Sequence, residues 1–131
     1  MAELERGSAF LTAAGLRLTH TSPELVEGTI DLGVEHHTPW GVVHGGAYTT
    51  AIESAASIGA SAAVADRGQI AVGTNNNTDF LRSMTSGRVT VTATPLHQGR
   101  TQQLWEVRIT DQSERLVARG TVRLQNVERR H

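Results

Sequence analysis

The sequence predicts an α+β fold: a strongly curved antiparallel sheet of about six strands wrapped around one long central helix. Three observations carry this. The run from Trp40 to Ala65 is built of Ala, Gly, Ser, Thr and Ile and contains one carboxylate, Glu53. Its apolar residues, among them Ala47, Ala51, Ile52, Ala55, Ala56, Ile58, Ala60 and Val64, cover every direction around a helix, and such a helix belongs in a core. The second half changes to a period of two, the mark of an antiparallel sheet with one packed and one wetter face.

The elements follow in order. Residues 3–14 read as a short helix anchored by Leu4, Phe10 and Leu11. Leu16–Thr21 and Leu25–Val34 read as a strand pair broken at Ser22-Pro23. A loop from His36 to Val43 leads into the helix, about Gly46 to Ala65, which Asp66-Arg67-Gly68 ends. Four extended segments come next: Ile70–Met84, Arg88–His97, Arg100–Asp111 and Arg115–Asn126. Val89, Val91 and Ala93 alternate with threonines; Trp105, Val107 and Ile109 alternate with Glu106, Arg108 and Thr110; Ala118, Gly120, Val122 and Leu124 form a third such set. One flat face cannot satisfy a helix that is apolar all round, so the sheet must curve about it. A helix of some 20 residues is about 30 Å long, the width of such a sheet.

The 131 residues fit one domain, 1–131, with no repeat or linker. Twelve basic and thirteen acidic residues leave a net charge of −1, which gives no reason to expect nucleic acid or a membrane as partner. The absence of cysteine excludes disulfides, thiol catalysis and zinc–thiolate sites, and points to the cytoplasm. The N-terminus lacks a sustained apolar core, so a secretory signal is not expected. A metal is not expected either: His36, His37 and His44 have no carboxylate at ligand spacing. Glu53 is the outlier. A carboxylate is almost never fully buried without a partner, so an acid amid small apolar side chains reads as a functional acid.

Three motifs then carry a resemblance: Gly41-Val42-Val43-His44-Gly45-Gly46-Ala47 followed by Glu53-Ser54; Asn77-Thr78-Asp79-Phe80-Leu81-Arg82; and Pro95-Leu96-His97-Gln98-Gly99-Arg100-Thr101. In order and spacing they resemble the hotdog-fold acyl-CoA thioesterases of the phenylacetate-pathway (PaaI) type, nearest to the Arthrobacter-type 4-hydroxybenzoyl-CoA thioesterases, with the naphthoyl-CoA thioesterases close behind. The resemblance implies a homodimer joined edge to edge, dimers paired into a homotetramer, an acyl-CoA substrate, no cofactor, and an active site shared between two chains. Two positions depart from the pattern: Thr38 stands where the nearest members carry Gln, and Ser57 where they carry Thr.

Thioester hydrolysis needs an activated oxygen nucleophile, a donor for the carbonyl oxygen and a grip on the leaving thiol. Gly45 and Gly46 open the helix, where backbone N–H groups lack intrahelical partners; the Gly45 N–H is assigned as the polarising donor. Glu53 lies about 12 Å further along the same helix by rise, too far to share one carbonyl with that amide. The implied dimer resolves this by facing Glu53 of one subunit with Gly45 of the other. Glu53 then attacks the carbonyl or activates a water. Ser57, one turn on, shares its face; His44 orients the loop and thioester, Thr38 is a loop candidate, and Trp40 is pocket wall or interface. Asn77 and Gly46 are candidate substrate contacts. Arg82, Arg100, Thr101 and, at the tail, Arg130 suit the CoA phosphates.

Two other classes on this fold differ at the same residues. A hydratase would use a His/Asp pair near the loop. An acyl-CoA-binding regulator would lack the helix acid and carry a DNA-binding segment. Glu53 on the helix favours the hydrolase.

Overall fold

The computed structural model describes residues 8–129. Helix α1, Ala9–Ala14, starts where the Ser8 hydroxyl accepts from the Leu11 N–H and stops at Gly15, whose φ of 79° turns the chain out of the helix. Residues 3–7 of the expected helix, Leu4 included, lie outside the described residues, as does Arg130. Strands β1 (Arg17–Thr21) and β2 (Val26–Leu32) flank the Ser22 turn, where the Ser22 hydroxyl accepts from the Leu25 N–H at 3.0 Å. Helix α2 spans Gly45–Val64. Strands β3 (Gln69–Phe80), β4 (Gly87–Gln98), β5 (Gln102–Thr110) and β6 (Leu116–Glu128) follow.

The six strands form one antiparallel sheet in the order β1-β2-β4-β5-β6-β3. Each alternation read from the sequence points its apolar set inward: Val89, Val91, Ala93, Trp105, Val107, Ile109, Ala118, Val122 and Leu124 are all buried. The expected first long strand is shorter than read. It stops at Phe80, and the Leu81 and Arg82 N–H groups both donate to the Val117 carbonyl, turning the chain away from the ladder.

Small residues bring α2 onto the sheet. A Cβ on Gly59 would collide with the Trp105 ring, and one on Gly120 would meet Ile52 Cγ2 at 2.9 Å. Fully burying Ile52 against this surface is worth about 1.5–3 kcal/mol. The expectation of a helix enclosed on all sides is corrected here. Tyr48, Ala51, Ile52, Ala55, Ala56, Gly59, Ala60 and Val64 are buried against the sheet, while Thr49, Thr50, Glu53, Ser54, Ser57 and Ser61 are only half-buried within one chain. The sheet covers one face; alanine and serine on the other tolerate either environment.

The β5–β6 turn is held by Asp111. Its Oδ1 accepts from the Ser113 and Arg115 N–H groups at 2.9 Å, and its Oδ2 from Arg115 Nε at 2.9 Å. The backbone bond from Arg115, reinforced by Ser113 and the guanidinium, holds this carboxyl below its ordinary value of 3.8 despite the opposing effect of burial. The unfolded chain therefore binds a proton here more readily than the native one, so the contribution is complete above the ordinary carboxylate range and is lost as pH falls through the lowered value. Asp111→Asn should melt below wild type near neutrality, with the gap closing in acid; a gap constant with pH in thermal melts would contradict this.

Candidate active site

The start of α2 is built by His44. Its Nδ1 accepts from the Gly46 N–H at 2.7 Å and so caps the helix. A neutral imidazole that accepts at Nδ1 carries its proton on Nε2, leaving that N–H as a donor on an exposed side chain. The Gly45 N–H is one of the helix's orphan donors and makes no hydrogen bond among the described residues. The Phe80 ring explains glycine at this position, since a Cβ there would lie 2.8 Å from Phe80 Cζ. His44, Gly45, Gly46, Tyr48, Phe80 and Arg82 line an open cleft of about 670 Å³. The Tyr48 ring lies 6.2 Å from that of Phe80, and burial pushes its phenol up to about 12, so it stays protonated.

Two turns further along, Glu53 is half-buried on the side of α2 that faces β3. Its Oε1 accepts from Asn76 Nδ2 at 3.2 Å. The same amide donates to the Thr49 carbonyl at 3.3 Å, and Asn76 Oδ1 accepts from the Thr78 hydroxyl at 2.7 Å. The other carboxylate oxygen lies against Gly73, in the space a Cβ would fill. Both neighbours depend on a break in β3: its register against β6 shifts between Gly73 and Asn75. That bulge moves the inward set from Ala71 and Gly73 to Asn76, Thr78 and Phe80.

Helix and strand thus run side by side in opposite directions. Gly45 sits by Phe80, Glu53 by Asn76 and Gly73, and Ser61 by Ala71, whose N–H the Ser61 hydroxyl accepts at 3.0 Å. β3 pairs with β6 on one side only among the described strands. Glu53 therefore faces one of the sheet's two open edges. On its solvent side a groove formed with Phe10, Leu11, Thr50 and Ser54 adjoins an apolar recess walled by Leu11, Ala14, Leu16, Leu18 and Ile58.

His44, Gly45, Gly46 and Arg82 are brought together in one cleft; Glu53 and Ser57 follow on the same helix. Asn77 is not part of this cluster. The bulge turns its neighbour Asn76 to the acid and leaves Asn77 exposed on the opposite face. Thr38 builds its own loop: its hydroxyl accepts from the Trp40 N–H at 3.2 Å, and its backbone bonds Val42 and Gly41. Trp40 is 84% exposed and lines no wall within one chain. Arg100 and Thr101 lie at the far end, beside the Arg67 turn that closes α2, where Arg67 Nη1 donates to the Arg100 carbonyl at 3.4 Å. The two neighbouring histidines of the loop are structural: His36 Nδ1 accepts from the Gly33 N–H and its Nε2 bonds the Ala13 carbonyl, while His37 Nε2 bonds the Thr85 carbonyl.

Asn76, Gly73 and Tyr48 escape the sequence reading. A bulge leaves no period by which Asn76 can be told from Asn75 or Asn77. Gly73 stands out as a lone glycine in a strand pattern, the usual sign of a bulge or a close approach.

Residues 41–118 match the model of the thioesterase superfamily. Over 123 residues the chain is 50% identical to Rv1847 of Mycobacterium tuberculosis, named as an esterase by inference, covering 92% of this chain and 88% of the relative. The solved structure of that protein superposes with a TM-score of 0.89 at 49% identity, covering 95% of this chain and 100% of the other. The 1,4-dihydroxy-2-naphthoyl-CoA hydrolase of Listeria monocytogenes is 41% identical over 81 residues, 62% of this chain and 65% of its own. The proofreading thioesterase EntH of Cronobacter turicensis is 34% identical over 101 residues, 77% of this chain and 73% of its own. With one long helix laid on a curved six-stranded antiparallel sheet, the chain belongs to the thioesterase superfamily and is a thioester hydrolase of the hotdog fold.

Proposed function

We propose that this hydrolase is an acyl-CoA thioesterase of the PaaI type that cleaves an aryl-CoA, similar to 4-hydroxybenzoyl-CoA, to the free acid and CoA, with Glu53 as its catalytic acid group. The observation that carries this is the placement of Glu53, steadied by Asn76 and the Gly73 bulge at an open sheet edge. A catalytic carboxylate must be held in position yet reachable, and this one is both. Two copies joined through β3 extend the sheet and bring a second chain's helix start toward the acid. The carbonyl oxygen is then polarised by the free Gly45 N–H of one subunit. Glu53 of the other either attacks the carbon, breaking the C–S bond to release CoA thiolate and leave a mixed anhydride that water hydrolyses, or takes a proton from a water whose attack expels the thiolate, which then receives that proton.

In this reading Ser57 assists the attacking water or the leaving thiolate, and His44 offers Nε2–H to the thioester. Gly46 keeps the cap closed, while Thr38 and Trp40 shape the loop that meets the partner. The apolar recess beside Glu53 takes the acyl group. Arg82, Arg100, Thr101 and Arg130 grip the CoA phosphates. Asn77, on the outer face of the edge strand, serves the subunit contact that completes the site. The dimer pairs into a homotetramer, with no cofactor, in the cytoplasm. The naphthoyl-CoA alternative is favoured by one observation, the name of the Listeria relative.

Thiol release over benzoyl-, hydroxybenzoyl-, phenylacetyl-, dihydroxynaphthoyl- and straight-chain CoA esters separates the acyl classes. A preference for straight-chain esters would overturn the aryl assignment. Glu53→Gln should lower kcat by about 10²–10⁴-fold, the range of a lost general base, while CoA-ester binding persists; unchanged turnover excludes the mechanism. Gly73→Ala should act through the same group, since its Cβ occupies the carboxylate's place. It should lower kcat while melting stays within a few degrees of wild type, and a crystal structure should show Glu53 displaced from Asn76; wild-type kcat would refute the dependence.

A further inference from the structure

A second buried polar cluster lies at the opposite end of α2, away from the acid. Gln103, Trp105 and Asn126 are 1%, 0% and 7% exposed, yet every side-chain polar atom among them is matched. The indole N–H of Trp105 can only donate, and it donates to Gln103 Oε1 at 2.9 Å. That choice turns the Gln103 amide so that its Nε2 points the other way. Nε2 donates to the Ala60 carbonyl of α2 and to Asn126 Oδ1, each at 2.9 Å. Asn126 must therefore present its own Nδ2 outward, where it donates to the carbonyls of Gly99 at 3.2 Å and Arg100 at 3.1 Å. The main-chain N–H of Asn126 takes the third consecutive carbonyl, that of Thr101, at 2.9 Å.

The result is a directional relay from one indole proton to a surface turn. Three successive carbonyls of the β4–β5 turn are drawn inward, while the Arg100 and Thr101 side chains stand exposed on its outer side. Arg67 reaches across to the Arg100 carbonyl, so the turn carries one arginine and is contacted by a second, and neither has an ion pair among the described residues. A turn stripped of outward acceptors and flanked by arginines suits an anion.

We infer that Trp105, Gln103 and Asn126 are positioning residues that fix the Gly99–Thr101 turn so that Arg100 and Thr101 meet the phosphates of the CoA moiety. This rests on the reading that these two residues bind CoA. None of the three touches substrate; they act through the turn. Because Gln103 also holds the Ala60 carbonyl, the relay fixes the phosphate-binding turn relative to the helix that carries Glu53.

The test compares benzoyl-CoA with the N-acetylcysteamine thioester of benzoate, which has the reacting carbonyl but no phosphate. Asn126→Asp keeps the side-chain shape, the acceptor for Gln103 and the main-chain bond to Thr101, while it replaces the donors to Gly99 and Arg100 by an acceptor and adds a negative charge there. It should raise KM for benzoyl-CoA about tenfold, the scale of one charge-assisted hydrogen bond, and leave kcat and the KM of the truncated thioester unchanged. Trp105→Phe adds no charge and removes the donor that orients the relay, together with the outer indole atoms that face Gly59; it should shift KM for benzoyl-CoA in the same direction and leave the KM of the truncated thioester unchanged. Arg100→Ala should raise KM for benzoyl-CoA alone. If Arg100→Ala does so while both relay variants leave KM untouched, or raise it equally for the two thioesters, the positioning role is refuted. A silent Trp105→Phe beside an active Asn126→Asp refutes it too, because repulsion by the new carboxylate would then account for the change. If Arg100→Ala itself fails to separate the two thioesters, the CoA reading of the turn falls and takes the inference with it.

Discussion

Glu53 meets β3 at the point where the strand breaks step, and most of the site follows from that meeting. A regular strand would present Gly73 and Asn75 to the helix, with no amide opposite the carboxylate. The extra residue at the bulge turns Asn76 inward instead, and its Nδ2 reaches both Glu53 and the Thr49 carbonyl. Glycine before the bulge clears the volume that the second oxygen occupies. A bulge also bends a strand and strengthens its twist, which helps the edge of the sheet curl toward the helix. One backbone irregularity therefore shapes the sheet and seats the acid.

The length of α2 separates two tasks. Its first turns gather His44, Gly45, Gly46, Tyr48, Phe80 and Arg82; its last turn leads to Arg67 and the Arg100 turn. With 20 residues between these ends, no single chain collects the orphan amide, the acid and the far arginines around one small group. The two-chain site proposed above would remove the conflict, since helices from two copies could lie alongside one another at a shared edge. The sheet already leaves that edge, β3, unpaired on one side among the described strands.

Much of the architecture is legible in the sequence. Strand faces follow from strict alternation, because β4, β5 and β6 are paired on both sides and carry clean apolar sets. The start of α2 follows from His44-Gly45-Gly46, and the prominence of Glu53 from its lack of charged neighbours. What fails to show is tertiary. Alanine and serine lie equally well against a sheet or near water, so the ring of small residues on α2 does not say which face is covered. Three consecutive asparagines hide a bulge, because period-two reasoning presumes an unbroken strand. Gln103 and Asn126 each look like an ordinary polar residue near a strand end. Only the fold reveals that 23 positions of sequence separate two amides that share one hydrogen bond.

Amides carry much of the polarity inside: Gln103 and Asn126, and Asn76 beside the acid, donate and accept at once and carry no charge to desolvate. The buried His36 and Asp111 are matched by backbone groups at turns. The protein's ion pairs, Asp31 with Arg88, Asp111 with Arg115 and Glu106 with Arg119, each keep at least one partner partly in water. Glu53 differs from these carboxylates: it stands on the central helix and its neighbour is an amide rather than a cation. A guanidinium there would hold the carboxylate in an ion pair and blunt it as a base or nucleophile. An amide steadies one oxygen while the other sits against Gly73, so Asn76 holds the carboxylate in place without neutralising its charge, which suits the catalytic role proposed for it.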